Sequence, residues 1–90
     1  MIWQLIILPG AEREFKQIPD ADARRIKDEL YALADEPYPL SHVKKLKGHQ
    51  SSPVYSLRVG QYRIILTIEG NKMVITVIEV GNRNKIYRKY

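Results

Sequence analysis

The sequence predicts an α+β fold of order β-α-α-β-β-β, in which a helix hairpin packs on one face of a mainly antiparallel sheet. Three observations carry this reading. An apolar opening stretch is followed by two runs with apolar residues at helical spacing, each broken by a proline. Two alternating runs then flank Gly60-Gln61 and read as a β-hairpin over residues 54–68. A last run, residues 73–80, is apolar at nearly every position, the pattern of a central strand covered on both faces. Ninety residues make one domain spanning 1–90.

The elements follow in chain order. Residues 2–8, rich in Ile, Leu and Trp, read as a strand that Pro9-Gly10 ends. Residues 10–18 read as a short helix with Ala11, Phe15 and Ile18 on one side, and Pro19 breaks it. A longer helix starts at Asp20 or Asp22, where a short acidic side chain can cap free N–H groups and suits the helix dipole. Its apolar stripe is Ala23, Ile26, Leu30, Leu33 and Ala34, and Pro37 ends it; Arg24, Arg25, Asp28 and Asp35 mark a solvated face. Residues 37–53 form a basic connector. After the hairpin, Gly70-Asn71 is expected to supply the positive φ angles of a second turn. Gly81 closes the last strand, and a basic, tyrosine-bearing tail follows.

Within the hairpin, Tyr55, Leu57, Val59, Tyr62, Ile64, Leu66 and Ile68 share one face, and Ser56, Arg58, Arg63, Ile65 and Thr67 share the other. A two-residue loop with Gly first fits a type II′ turn. That turn sets Val59 opposite Tyr62, Arg58 opposite Arg63 and Leu57 opposite Ile64. Like charges placed directly opposite are destabilising. A hairpin otherwise so well matched tolerates the pair for a reason, and an anion lying across the sheet supplies one. Tyr55 and Tyr62 are expected to pack at the core or its edge.

Several chemistries are excluded. The chain has no cysteine, so disulfides, thiolate nucleophiles and Cys-ligated zinc are ruled out. The apolar opening is too short to span a bilayer and reads as a buried strand, so no membrane association is expected and the cytoplasm is the fitting compartment. Five scattered glycines form no phosphate-binding loop. His42 and His49 lie seven apart in a loop without nearby cysteines or carboxylates, so neither a metal nor a small-molecule cofactor is expected. The acids concentrate in the first 36 residues, with no pair aimed at the basic sheet.

The net charge of +5 at pH 7 hides an asymmetry. Residues 1–36 carry five basic and eight acidic side chains, whereas residues 37–90 carry ten basic ones against Glu69 and Glu79 alone. Such segregation points to a polyanionic partner for the C-terminal part. The residues available for chemistry are Lys44, Lys45, Lys47, Tyr55, Arg58, Arg63, Arg83, Lys85, Tyr87, Arg88, Lys89 and Tyr90. Guanidinium groups grip phosphate bidentately, and tyrosine rings stack on unpaired bases. This set suits RNA, and also RNA cleavage by the RNA's own 2′-OH, a route that requires no metal.

The chain resembles the RelE toxins of the RelE/ParE toxin–antitoxin superfamily over nearly its whole length. The marks are the strand–helix–helix opening, Lys45-Leu46-Lys47-Gly48, the hairpin Tyr55-Ser-Leu-Arg-Val-Gly-Gln-Tyr-Arg63, and Val77-Ile-Glu-Val-Gly-Asn-Arg83-Asn-Lys-Ile-Tyr87. The resemblance implies a RelE-like fold and a toxin that cleaves mRNA in the ribosomal A site, leaving a 2′,3′-cyclic phosphate. It also implies a cognate RelB-like antitoxin as partner, alongside the ribosome and mRNA. By position, Arg63 matches the phosphate-binding arginine, Arg83 the arginine assisting the leaving oxygen, and Tyr87 the tyrosine orienting the nucleophile. Arg58 stands where relatives have a lysine proposed as base, and Ser56 where they have a phosphate-contacting lysine. Arg58, Arg63, Arg83 and Tyr87 are thus the expected catalytic set. Lys44, Lys45, Lys47, Ser56, Lys85 and Arg88 are the expected RNA contacts. An arginine keeps its proton, so Arg58 is a clamp rather than a base, leaving Tyr87, Lys47 or charge stabilisation alone. The alternatives are a ParE-like toxin that inhibits gyrase and a catalytically silent homologue that binds an antitoxin.

Overall fold

The computed structural model describes residues 2–46 and 53–82. Its elements are β1 (Gln4–Ile7), α1 (Pro9–Phe15), α2 (Asp20–Ala34), a 3₁₀ turn (Pro39–His42), β2 (Lys44–Lys45), β3 (Tyr55–Val59), β4 (Tyr62–Glu69) and β5 (Val74–Asn82). The five strands form one sheet in the order β1-β5-β4-β3-β2. β1 runs parallel to β5, and every other pairing is antiparallel.

Both helices pack on one face of this sheet. α1 begins with Pro9, whose missing N–H costs nothing in a first turn, and buries Ala11 and Phe15. α2 buries Ile26, Leu30, Leu33 and Ala34. These side chains meet Leu57, Val59, Ile64, Leu66, Ile75, Val77 and Val80 from the sheet, with Trp3 at the margin. Tyr55 and Tyr62 are partly buried against this core, as alternation predicts. The Ala34 carbonyl accepts the Trp3 N–H at 2.9 Å, which ties the end of α2 to the start of the chain. Among the described residues, no helix is long and apolar enough to cross a membrane.

The structure departs from expectation in several places. The first helix ends at Phe15 rather than Ile18, although Ile18 still packs on the core. No acidic side chain caps α2, because Pro19 occupies the cap position; Asp20 and Asp22 lie in the first turn, where they favour the helix dipole only. The helix stops at Ala34, before Pro37. β5 continues through Gly81 to Asn82, and its burial alternates rather than being complete on both faces. In the turn before it neither Gly70 nor Asn71 has a positive φ; Met73 does, at 54°. Met73 donates its N–H to the Gly70 carbonyl at 3.3 Å and accepts the Gln4 N–H at 2.9 Å. The left-handed residue therefore sits where the turn must hand the chain to β5 and hold β1 alongside it.

The far face of the sheet carries apolar packing of its own. Val54 and Ile65 form a second small core there, with Leu46 and Ile78 packed against it. A β-bulge makes this possible. Ile65 pairs with Glu79 and Leu66 with Val77, so Ile78 is the extra residue.

Candidate functional site

Strand alternation decides which side chains can meet. Leu57, Val59, Ile64 and Leu66 enter the helix-side core, so Ser56, Arg58, Arg63 and Ile65 occupy the far face. Lys44 pairs with Ser56 and shares that face, whereas Lys45 pairs with Tyr55 and falls on the helix side. The structure thus groups Lys44, Ser56, Arg58 and Arg63 and separates Lys45 from them. Lys47, Arg83, Lys85, Tyr87 and Arg88 lie outside the described residues.

Arg58 and Arg63 are direct cross-strand partners, as the hairpin register predicts. Their environments differ sharply. Arg58 is exposed. Arg63 is 8% exposed, and its Nη1 donates to Ser56 Oγ at 3.1 Å. Ser56 is itself only 3% exposed. Its hydroxyl is therefore turned onto Arg63 instead of being presented to RNA as the sequence led us to expect. Burying a charged group is costly unless hydrogen bonds replace its water, and Ser56 meets part of that need.

One carboxylate escaped the sequence reading. Glu79, half-buried, stands opposite Ile65 on the far face, diagonally across the β4/β5 ladder from Arg63, whose own partner is Gly81. Unbroken alternation from the buried Ile75 and Val77 would instead have put Glu79 on the helix side. The bulge at Ile78, which changes the phase midway, could not be read from the sequence.

The hairpin tip is held from the helix side. Of Gly60 and Gln61 only Gly60 has a positive φ, 59°, which fits a type II′ turn and not a type I′. Arg25 Nη1 lies 3.5 Å from where a Cβ would project at Gly60. Tyr62 donates its hydroxyl to Asp22 Oδ2 at 2.9 Å. That hydrogen bond, helped by burial and the Asp22 charge, holds the phenol above its ordinary pKa of 10.0. Asp22, Arg25, Ile26, Val59, Gly60, Gln61 and Tyr62 line a cleft of 240 Å³ beneath the tip. The two basic strands are therefore fixed on both faces near their turn, by Tyr62 to α2 and by Arg63 to Ser56.

No group of three or more His, Asp or Glu side chains is gathered for a metal among the described residues. Contrary to expectation His42 does have a carboxylate nearby, because the 3₁₀ turn brings it back beside the end of α2: its Nε2 lies 3.4 Å from Glu36 Oε2 on the exposed surface.

Similarity to known proteins now adds to this geometry. Residues 5–87 match the family described as the ParE toxin of the type II toxin–antitoxin system parDE, and the chain belongs to that family. The Methanocaldococcus jannaschii protein carrying the toxin name RelE1 is 24% identical over 78 residues, 84% of each chain. Among solved structures, the archaeal RelE–RelB complex from Pyrococcus horikoshii OT3 superposes with a TM-score of 0.77 at 26% identity, covering 94% of this chain and 99% of that one. A chain of the toxin–antitoxin complex RelBE2 from Mycobacterium tuberculosis shares the fold, with a TM-score of 0.79 at 19% identity over 92% and 100% of the two chains. The chain is a type II toxin of the RelE/ParE superfamily, built on the RelE-like α+β fold.

Proposed function

We propose that this toxin is a ribosome-dependent mRNA endoribonuclease acting on the A-site codon. The observation that carries the reading is the facing Arg58–Arg63 pair, one side chain exposed and the other buried and hydrogen-bonded to Ser56. In the reaction, the 2′-OH of the preceding ribose attacks the adjacent phosphorus. The 5′-oxygen of the next nucleotide leaves with a proton, and a 2′,3′-cyclic phosphate remains. Arg58 meets the phosphate from solvent. Arg63 supplies a fixed positive charge that needs no reorganisation as negative charge grows on the phosphorane, and such preorganised charge is usually what lowers the barrier most. Arg83 assists the leaving oxygen and Tyr87 orients the nucleophile. Lys44, Lys47, Lys85 and Arg88 hold the flanking RNA, with Lys45 contributing from the sheet edge. Neither arginine of the pair can serve as base, since guanidinium keeps its proton; Tyr87 or Lys47 takes it. The proposed setting is the cytoplasm, with a cognate RelB-like antitoxin that silences the toxin.

A second reading has its own support, because the matching family is described by its ParE member: the same fold would inhibit DNA gyrase without cutting RNA. Two assays on one preparation separate them. Purified toxin should cut mRNA on translating ribosomes and leave gyrase supercoiling unchanged. Inhibited supercoiling with intact mRNA would replace our reading with the second one, and neither effect would leave an antitoxin-binding homologue without activity.

A further inference from the structure

We propose that Ser56 is a positioning residue for the cleavage and not an RNA contact: its hydroxyl, acting through Nη1 of Arg63, holds that guanidinium in one orientation on the strand paired with Arg58. The inference rests on the nuclease reading above. An arginine side chain has several rotatable bonds, and its charge is useful to a transition state only if the fork is held in place. Here the holder is built into the sheet. Ser56 and Arg63 sit on adjacent paired strands, with Ser56 opposite Ile65 and Arg63 opposite Arg58. Both side chains are more than nine-tenths buried, and the contact is 3.1 Å.

This arrangement divides the work between the two arginines. Arg58, exposed, captures the phosphate and governs affinity. Arg63, fixed, acts on the chemical step. Removing the Ser56 oxygen deprives a buried N–H of this acceptor and loosens the set orientation of the guanidinium. The effect then falls on the rate and leaves RNA binding almost untouched, because Arg58 is unchanged.

The test is single-turnover cleavage on translating ribosomes by the full chain and by Ser56→Ala and Ser56→Thr, each first shown to be folded by circular dichroism. Ser56→Ala should slow the step about tenfold while half-saturation stays within about twofold, the split expected for an interaction made only in the transition state. Ser56→Thr, which keeps the hydroxyl, should recover most of the rate. Independently of activity, a ¹⁵N NMR spectrum should show one arginine with slowed guanidinium rotation, lost in Ser56→Ala and retained in Ser56→Thr. An unchanged rate in Ser56→Ala overturns the positioning role, as does weakened half-saturation at full rate, which would make Ser56 an RNA contact. A parent that cuts no mRNA overturns the nuclease reading itself, and the role of Ser56 falls with it.

Discussion

Replacing Arg58 with glutamine should make the protein more stable. The substitution removes one charge from the facing pair and keeps the first three side-chain carbons, so the packing of the stem is largely retained. Arg58 and Arg63 are direct partners in the β3/β4 ladder, where opposed side chains lie about 5 Å apart and each such pair is worth roughly 0.2–1 kcal/mol. Coulomb's law gives roughly 0.8 kcal/mol of repulsion for about 5 Å in water, and about 3 kcal/mol at an effective dielectric of 20. Arg58 is exposed, so solvent screening favours the low figure. The expected gain is about 0.5–1 kcal/mol, a rise of roughly 2–8 °C in Tm for a domain of this size. Urea denaturation should be followed by circular dichroism at low salt and at about 1 M NaCl, where the Debye length falls to about 3 Å. The gain should be clear at low salt and shrink at high salt. Arg58→Gln that is less stable than the parent, or equally stabilised at both salts, would refute the electrostatic cost from which the functional argument starts.

Two other predictions follow from local geometry. Met73 holds a φ of 54° with a side chain 43% exposed, and its hydrogen bonds are made by backbone atoms. Met73→Gly should therefore stabilise by about 0.5–1 kcal/mol, the left-handed penalty less the entropy cost of glycine, as read by the urea midpoint. Tyr62 should ionise later than an ordinary tyrosine in an alkaline titration followed by ultraviolet absorbance, because its hydrogen bond to Asp22 favours the protonated phenol. Since the folded value is raised, its stabilising contribution is complete below the ordinary pKa of 10.0 and is lost as pH climbs through the raised value. Asp22→Asn should bring that late tyrosine back toward the others; a titration unchanged by the substitution would count against the contact.

The hairpin was the most legible part of the chain. Strict alternation on both sides of Gly60-Gln61 determines the turn and, through it, the partners Arg58 and Arg63, because a shift of one residue would turn the core side chains outward. The stripe of α2 was equally plain, since Ile26, Leu30 and Leu33 repeat at helical spacing. What stayed hidden depends on contacts distant in sequence. Nothing local in residues 4–7 specifies parallel pairing with β5, some seventy positions later. The burial of Ser56 depends on how Arg63 folds across the ladder, and a serine in an alternating strand reads as outward polar surface. Glu14 gives another case: its Oε1 accepts the Val80 N–H at 3.1 Å from across the fold, where the sequence shows only a helix-surface acid. Met73 was missed because glycine and asparagine stand three and two places before it and fit the usual turn chemistry, while the sheet needed the special angle later.

The central claim is that a phosphate captured by Arg58, beside the fixed charge of Arg63, is attacked by the RNA's own 2′-oxygen. The most direct measurement uses programmed ribosomes carrying an mRNA with a single 2′-deoxy nucleotide at the cleavage position, beside the all-ribose control. The account predicts that the control is cut to a 2′,3′-cyclic phosphate, that Arg63→Ala cuts it at least about a hundredfold more slowly, and that the 2′-deoxy mRNA stays intact. Cleavage of the 2′-deoxy mRNA at the control rate would contradict it.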